Sequence, residues 1–487
     1  MAAVTTSLAT AVVLSHAVDA AKILPAAVMW AGLALCALFY LSILRGTFVL
    51  HQRAHVEPAF TVPKRGSASA GATVALQARS SSAVSARFGD TENSVIIVGA
   101  GIAGLSAAAS LHKVGVPAVV LEREGGPHEE GSAITFWPNA FRVLDALGAA
   151  APIRNTHPLL HRVEIVNWDG QVLRSFGLHE CEGSPHDARI VRRNSLLAAL
   201  RTAVPDSITH YGVNIANMHA TDDGAEVELS SGERLRCKAV VGADGVKSRI
   251  AAKLGLKPAT YAGEVYRGVA TFPDGVPEAP GTLRMIWSER GIRVGISTIS
   301  DTECFWFTTL ACPEEAKMET PEKRKADALA SVAGFCAHIE DAIRHTPAEN
   351  VSRSRIVDRW MRKTGRGVGQ GCITVAGDAL HPMTPSLGQG GCIALEDGGM
   401  LAKALAAAGG AAAPAAAVTE ALRGYERERL ARAMLVTVKS HVMGAMLQIR
   451  NPWFAAARNW TVRNFYPVHG FLKPAAFDCG SLDQPSS

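Results

Sequence analysis

Residues 95–104 constrain the fold of this chain more than any other stretch. Val95-Ile96-Ile97-Val98 is a β-branched run with the pattern of a strand buried on both faces. It passes directly into Gly99-Ala100-Gly101-Ile102-Ala103-Gly104 and then a helical stretch, Leu105 to Val114. The GxGxxG spacing at a strand-to-helix joint has a physical reading. Gly99 makes the tight turn, Gly101 lets backbone approach a pyrophosphate, and Gly104 lets the helix lie close on the sheet. The helix start adds unpaired N–H groups and the positive end of its dipole. A second run, Ala118-Val119-Val120-Leu121, ends in Glu122, 18 residues past Gly104, which places a carboxylate against a ribose 2′-hydroxyl. An acid there favours FAD or NAD and repels the extra phosphate of NADP. Arg123, next in the chain, joins it as a candidate cofactor contact. These features predict an α/β fold with a Rossmann-type domain.

A second Gly-rich passage follows the apolar run Cys372 to Ala376. It reads Gly377-Asp378-Ala379-Leu380-His381-Pro382-Met383-Thr384-Pro385-Ser386-Leu387-Gly388-Gln389-Gly390-Gly391 and leads into a helical pattern through Glu396 and Asp397. Pro385 ends regular structure, and Gly388, Gly390 and Gly391 remove side chains that would hold a flat ligand off the backbone N–H groups. Those groups open a helix, and a helix start stabilises negative charge such as a reduced flavin carries. The segment therefore reads as a flavin seat, with Gly377, Asp378, Pro385, Gly388, Gln389 and Gly390 as cofactor contacts. Asp378 stands at the strand end as an acceptor for a ribityl chain. Asp397, about two turns into the following helix, is expected to matter less. An ordinary Gly-rich turn with a capping Asp is the competing reading.

Between these anchors, Ala239-Val240-Val241-Gly242-Ala243-Asp244-Gly245 is a third buried strand breaking into a turn, with Asp244 and Gly245 as further cofactor candidates. The three motifs together resemble the class A FAD-dependent monooxygenases, and within them the plant branch of zeaxanthin epoxidase and salicylate-hydroxylase-like monooxygenases. The likeness spans residues 93 to 482. It includes the R-x-x-L helix start at Arg193, the Tyr266-Arg267-Gly268 strand, and tail segments such as Asn451-Pro452 and Phe477-Asp478-Cys479-Gly480. The resemblance implies an antiparallel β-sheet substrate domain and C-terminal helices beside the Rossmann-type domain. It implies non-covalent FAD, NAD(P)H as a transient reductant without a second Rossmann unit, and O2 as co-substrate. It also implies hydroxylation or epoxidation of a small hydrophobic or aromatic molecule through a flavin C4a-hydroperoxide. An FAD oxidoreductase that inserts no oxygen, acting on a polyene or prenyl lipid, is the alternative, and a non-catalytic FAD-fold binding protein is the third. No nucleophile triad or carboxylate pair stands out. Arg267 orients an anionic substrate or a flavin edge, or else is a structural arginine. Trp360 and Met383 are substrate-pocket candidates. Ser386 replaces the Asn, Asp or Phe common after this proline in the family and leaves the substrate side open.

Composition limits the other classes. The 487 residues, 48% of them hydrophobic, allow two or three domains. Nine cysteines without a CxxC pair argue against a zinc site and a disulfide framework. His157 and His161 are interrupted by Pro158, so no metal ligand set is expected. Of the net charge of +5, residues 1–90 carry +4, so the body offers no nucleic-acid patch.

The expected organisation is a leader over 1–90, a discontinuous FAD-binding domain over 91–265 and 355–430, a substrate-domain sheet over 266–354 joined by the hairpin 162–178, and a C-terminal helical region over 431–487. Within the leader, residues 23–44 carry no charge and are long enough to span a bilayer, and the Arg and Lys that follow would leave the body on the cytosolic or stromal side. The Ser/Ala-rich, acid-free stretch 66–87 equally suits a plastid transit peptide. A membrane anchor, a cleaved chloroplast-targeting segment and an upstream extension all stay open. Substrate identity and oligomeric state are not legible.

Overall fold

A computed structural model describes residues 86–127, 132–183, 186–312, 320–336, 338–360, 367–466 and 468–482. The leader readings, including the candidate span 23–44, lie outside the described residues. The chain is mixed α/β. A five-stranded parallel sheet is built from β1 (Val95–Val98), β2 (Ala118–Leu121), β7 (Thr209–His210), β11 (Ala239–Gly242) and β17 (Ile373–Val375), in the order β17-β11-β1-β2-β7. The apolar runs of β1, β2 and β11 carry no polar alternation because helices and further strands cover both faces of the sheet.

The helix after β1, α1 (Ile102–Lys113), is rich in small residues, and it crosses the long helix α8 (Gly390–Ala407) at close range. Ser106 Oγ donates to the Leu395 carbonyl at 2.9 Å, and a Cβ on Gly398 would come within 2.4 Å of Ser106 Oγ. Such a contact leaves no room for a methyl, so overpacking here costs about 1–3 kcal/mol. This crossing brings the two Gly-rich turns, far apart in sequence, to one end of the parallel sheet.

The second layer is a seven-stranded sheet in the order β16-β12-β15-β14-β13-β4-β5. Its members are β4 (Arg162–Asn167), β5 (Val172–Gly177), β12 (Thr260–Thr271), β13 (Thr282–Trp287), β14 (Ile292–Thr298), β15 (Glu303–Leu310) and β16 (Ser352–Asp358). All neighbours are antiparallel except β13 and β4, which run parallel, so the hairpin β4–β5 extends this sheet at one edge. A three-stranded antiparallel sheet, β8 (Ile215–Thr221), β9 (Gly224–Leu229) and β10 (Arg234–Cys237), and the pair β3 (Ala133–Phe136) and β6 (Arg189–Arg192) complete the strands.

One expected boundary differs. The boundary at 430/431 falls inside a single helix, α9 (Ala415–Leu447), which no proline interrupts and whose glycines, Gly424 and Gly444, are absorbed. It is the one described helix long and apolar enough to cross a membrane, but its buried residues include Glu426 and Arg429. Those side chains bond the core of this fold. Among the shorter helices, α2 (Pro138–Ala146) begins one residue before Asn139, which is buried.

Candidate active site

The turn Gly99–Gly104 opens onto a cleft of about 390 Å3. Gly104 is confined by sterics, since a Cβ there would stand 1.8 Å from the Gly99 carbonyl oxygen, whereas a Cβ on Gly101 would meet nothing. The Glu122 carboxylate, 9% exposed, accepts from Ala100 N at 2.7 Å and from Glu124 N at 3.0 Å. It thus ties the end of β2 to the Gly-rich turn while lining the cleft. Arg123 is exposed at the rim and paired with Glu124. Arg193, the first residue of α4 (Arg193–Thr202), and Asp244, Gly245 and Lys247 also line it. Asp244 Oδ2 accepts from Arg249 N at 2.8 Å, whereas Oδ1 is buried without a partner. A polar cleft with a free acceptor, an open Gly101 and flanking Arg and Lys side chains fits the adenosine and pyrophosphate half of FAD.

At the second Gly-rich turn, Gly377–Ala379 and Pro385–Leu387 are single 3-10 turns, and Gly388 closes the second with φ +62. A side chain at Gly388 is strained by that angle, and its Cβ would sit 3.0 Å from Trp137 Nε1. Gln389 N-caps α8, but its amide oxygen is engaged, accepting from Asn139 Nδ2 at 2.9 Å, so it offers backbone rather than side chain to a flavin. Gly390 has room around it, its nearest would-be neighbour being Met383 Cγ at 3.8 Å, whereas Gly391 lies against the Phe136 ring.

Asp378 is accessible to solvent in the 3-10 turn between buried Gly377 and Ala379, yet the protein packed around it desolvates its carboxyl and raises it above the usual range, against the pull of His381, Arg193 and Arg359. The same Arg193 charge lowers Arg267, whose guanidinium is pushed down first by burial. Arg267 Nη2 donates to Ser354 Oγ at 2.8 Å and its Nε is buried without an acceptor. Arg193 therefore acts electrostatically on both Asp378 and Arg267 near the seat.

Asp397 has a structural role that its chain position does not show. It is fully buried, and its carboxylate accepts from Gly377 N at 2.7 Å, His381 Nε2 at 2.6 Å and Arg429 Nε at 2.6 Å. Burial alone would raise it, but His381 and Arg429 hold it down to about 2. Glu396, also fully buried, accepts from Arg429 at 2.7 Å, Arg432 at 3.0 Å and Asn139 at 2.7 Å. These two carboxylates fix both ends of the 377–389 turn to α8 and α9. Helical spacing alone does not reveal this, because it depends on α9 packing against α8.

Beside Pro385–Gly388 lies a second, smaller cavity of about 50 Å3 with aromatic walls: Trp137, Phe176, Trp287, Phe307, Tyr466 and Phe471. Phe307 lies against β14 where only a glycine fits, since a Cβ on Gly295 would penetrate its ring. A third cavity of about 150 Å3 adjoins it and shares Arg293, Pro385 and Ser386. Ser386, 5% exposed, thus faces both.

None of the three substrate candidates lines the aromatic cavity. Trp360 is 44% exposed, donates to Asp358 Oδ1 at 3.0 Å and rests edge-on against His441, outside the aromatic cavity. Met383 packs against the buried cluster of Leu387, Ile393, Ala433 and Val436. Arg267 also does not line the aromatic cavity. The residues that do line it escape sequence reasoning. Trp137 reads from sequence only as a helix start, and Tyr466 and Phe471 sit in a tail without a motif. Arg293 has a signal, a lone charge inside the apolar strand Ile292–Thr298.

The FAD-binding domain family matches residues 92–440 of this chain. The chain belongs to the class A FAD-dependent monooxygenases. It is 31% identical over 402 residues to Monooxygenase 2 of Arabidopsis thaliana, covering 80% of this chain and 98% of that protein. It is 29% identical over 377 residues to the aurachin C monooxygenase/isomerase of Stigmatella aurantiaca, covering 76% and 93%. Among solved structures, Klebsiella pneumoniae HpxO complexed with FAD and uric acid shares the fold with a TM-score of 0.69 at 24% identity, covering 78% of this chain and 96% of that one. FAD is the cofactor of this monooxygenase.

Proposed function

We propose that this enzyme uses NAD(P)H and O2 to hydroxylate or epoxidise a small aromatic or hydrophobic substrate held in the aromatic cavity beside Pro385–Gly388. The observation that carries this reading is the position of that cavity. Its wall is the same turn that reads as the seat of the flavin ring, so a substrate there lies against the reactive face. Bound FAD supplies the redox chemistry, taking electrons from a nicotinamide and activating dioxygen.

The protein's own share is orientation, charge and exclusion of water. Glu122 and Asp244 would hold the adenosine half, Gly99 and Gly101 the pyrophosphate, and Asp378 the ribityl hydroxyls. The N–H groups opening α8 and the positive charge of Arg193 and Arg267 would stabilise negative charge on the reduced ring. The aromatic walls keep water from a reactive oxygen species, which favours transfer to substrate over loss as peroxide. Aromatic side chains around a small void support a flat ring as substrate. The HpxO complex, which holds uric acid, is a relative in fold with such a ligand.

The decisive experiment supplies labelled O2 to the purified enzyme with a panel of aromatic substrates and scores both acceleration of NAD(P)H oxidation and label in product. Reduction of the flavin with no label in any product would favour an oxidoreductase without oxygen insertion. For the leader we propose membrane or chloroplast association, with the body on the stromal or cytosolic side. Resistance of full-length protein to carbonate extraction supports an anchor, a shortened soluble product after plastid import supports a transit peptide, and full-length soluble cytosolic protein contradicts both.

A further inference from the structure

One face of α9 changes character along its length. Stepping in threes and fours, Ala431, Leu435, Val438, Val442, Ala445 and Ile449 form a single apolar stripe, the last of them just past the helix end. One turn before Ala431 the same face carries exposed Arg427 and Glu428, as a helix facing water should. The opposite face, with Ala433, Val436, Thr437, Ser440 and Leu447, is packed in the core. The stripe is open to solvent, Leu435 being 45% exposed and Ile449 38%. Asn451 then caps the next helix, α10 (Pro452–Phe465), by accepting from Phe454 N at 2.9 Å. Trp453, in the first turn of α10, is 45% exposed, so the apolar surface runs on from Ile449 to a tryptophan. Contiguous apolar surface of this kind marks a contact with something other than water.

Charge says what that contact is. Residues 429–477, 49 in all, include seven Lys or Arg and no Asp or Glu. Lys439 stands one helical turn from both Leu435 and Val442, at the border of the stripe. Burial lowers its ammonium group, and the charges of Lys473 and Arg432 lower it further, so these cations lie near one another. Arg432 is answered by Glu396 at 3.0 Å, whereas among the described residues neither lysine has a carboxylate partner. Arg450 and Arg463, both exposed, donate to neutral oxygens of Ala311 and Gln171. An apolar stripe bordered by unanswered cations is the pattern of a helix that lies on a negatively charged lipid surface.

We propose that the catalytic body docks on an anionic lipid bilayer through this face, the α9 stripe and Trp453 entering the headgroup boundary while Lys439 and Lys473 meet lipid phosphates. Trp453 suits that boundary, where an amphipathic ring has one apolar and one wet side. The helix lies on the bilayer and does not cross it, because crossing would pull Glu426 and Arg429 out of the core they bond. A second copy of this chain fits the face less well. A two-fold contact would set the patch against itself and bring its cations together with no carboxylate between them. The surface belongs to the body, so it is independent of the leader and of which substrate the enzyme takes.

The test uses full-length, FAD-loaded protein and vesicles whose lipids carry brominated acyl chains, made of phosphatidylcholine with or without a third of the lipid as phosphatidylglycerol. Bromine quenches a tryptophan that enters the boundary. The part of the quenching lost in Trp453→Phe isolates this face from the leader, which has its own Trp30. That Trp453 share should require phosphatidylglycerol and fade as salt rises. Lys439→Gln with Lys473→Gln should raise the lipid concentration needed for it by about ten-fold or more. Leu435→Glu with Ile449→Glu should abolish it while flavin content and melting temperature stay near wild type. If the glutamate pair fails to fold, the lysine pair carries the comparison. No Trp453 share on anionic vesicles, an equal share without phosphatidylglycerol, or a share unchanged in both pairs of variants would overturn the proposal. So would self-association without lipid that Leu435→Glu abolishes, which would assign the face to a second copy. None of these readings involves turnover, so the monooxygenase reading stands or falls separately.

Discussion

The Asp397 carboxylate holds the Gly377 amide at 2.7 Å, tying the first residue of the flavin turn to a helix that begins only after that turn is complete. Because the same carboxylate also receives His381 and Arg429, it acts as the anchor of the turn without needing to touch the cofactor.

Asp397→Ala should therefore be the more damaging of the two aspartate changes. It leaves Arg429 buried with one carboxylate instead of two, and breaking a buried pair costs about 3–5 kcal/mol. Asp378→Ala should leave the melting temperature of the apoprotein nearly unchanged and lower flavin occupancy. Thermal unfolding and flavin content of the two variants check this ordering, and equal melting temperatures would refute it.

Acid sensitivity follows from the same group. The Asp397 carboxyl is depressed from 3.8 to about 2, so the folded state favours its ionised form. The resulting stability, on the order of 2 kcal/mol, is fully present above the unfolded value and is lost as pH falls from about 4 towards 2. Denaturant unfolding across that range should show a steeper loss in wild type than in Asp397→Asn.

Glu122→Ala should weaken FAD by about 1.5–3 kcal/mol, the worth of one charge-assisted contact to the adenosine ribose. FMN, which lacks that ribose, should bind as before. Because the carboxylate also receives Ala100 N, a parallel loss of FMN would mean that Glu122 acts only by holding the turn.

Gly388→Val places a β-branched side chain at φ +62 and against Trp137, a strain of roughly 1–3 kcal/mol. FAD held through its adenosine half should remain partly bound. Reduction by NAD(P)H should slow, and oxygen consumption should shift from product to hydrogen peroxide. Wild-type coupling in this variant would make Gly388 a turn residue only.

Trp287→Ala should raise KM for substrate, whereas Trp360→Ala should leave steady-state kinetics close to wild type, since only the former side chain lines the aromatic cavity.

Sequence makes the cofactor half of this site readable because dinucleotide binding depends on local features. The strand, the three glycines and Glu122 lie within 28 residues. The aromatic cavity is hidden because its walls come from the start of α2, several strands of the seven-stranded sheet, the 385–388 turn and the C-terminal tail, and no spacing rule links Trp137 to Phe471. The anchoring role of Asp397 is hidden for a related reason. Chain position puts Asp378 nearest the cofactor, but the partners of Asp397 are set by how α9 packs on α8. Trp360 is suggested by residue type alone, and it stands exposed beyond the end of β16, away from the aromatic cavity.

Arg429 carries a consequence for biosynthesis. The adenosine half of the cofactor site closes once β11 has joined β1, in the first half of the chain, but the ring-binding turn lacks its counter-charge until a residue 52 positions beyond Gly377 has left the ribosome. A nascent chain halted between α8 and α9 would grip one end of FAD and leave the other unsupported. Seating of the whole flavin should thus require translation past Arg429, and chains truncated before it should emerge colourless or with loosely held, fluorescent cofactor.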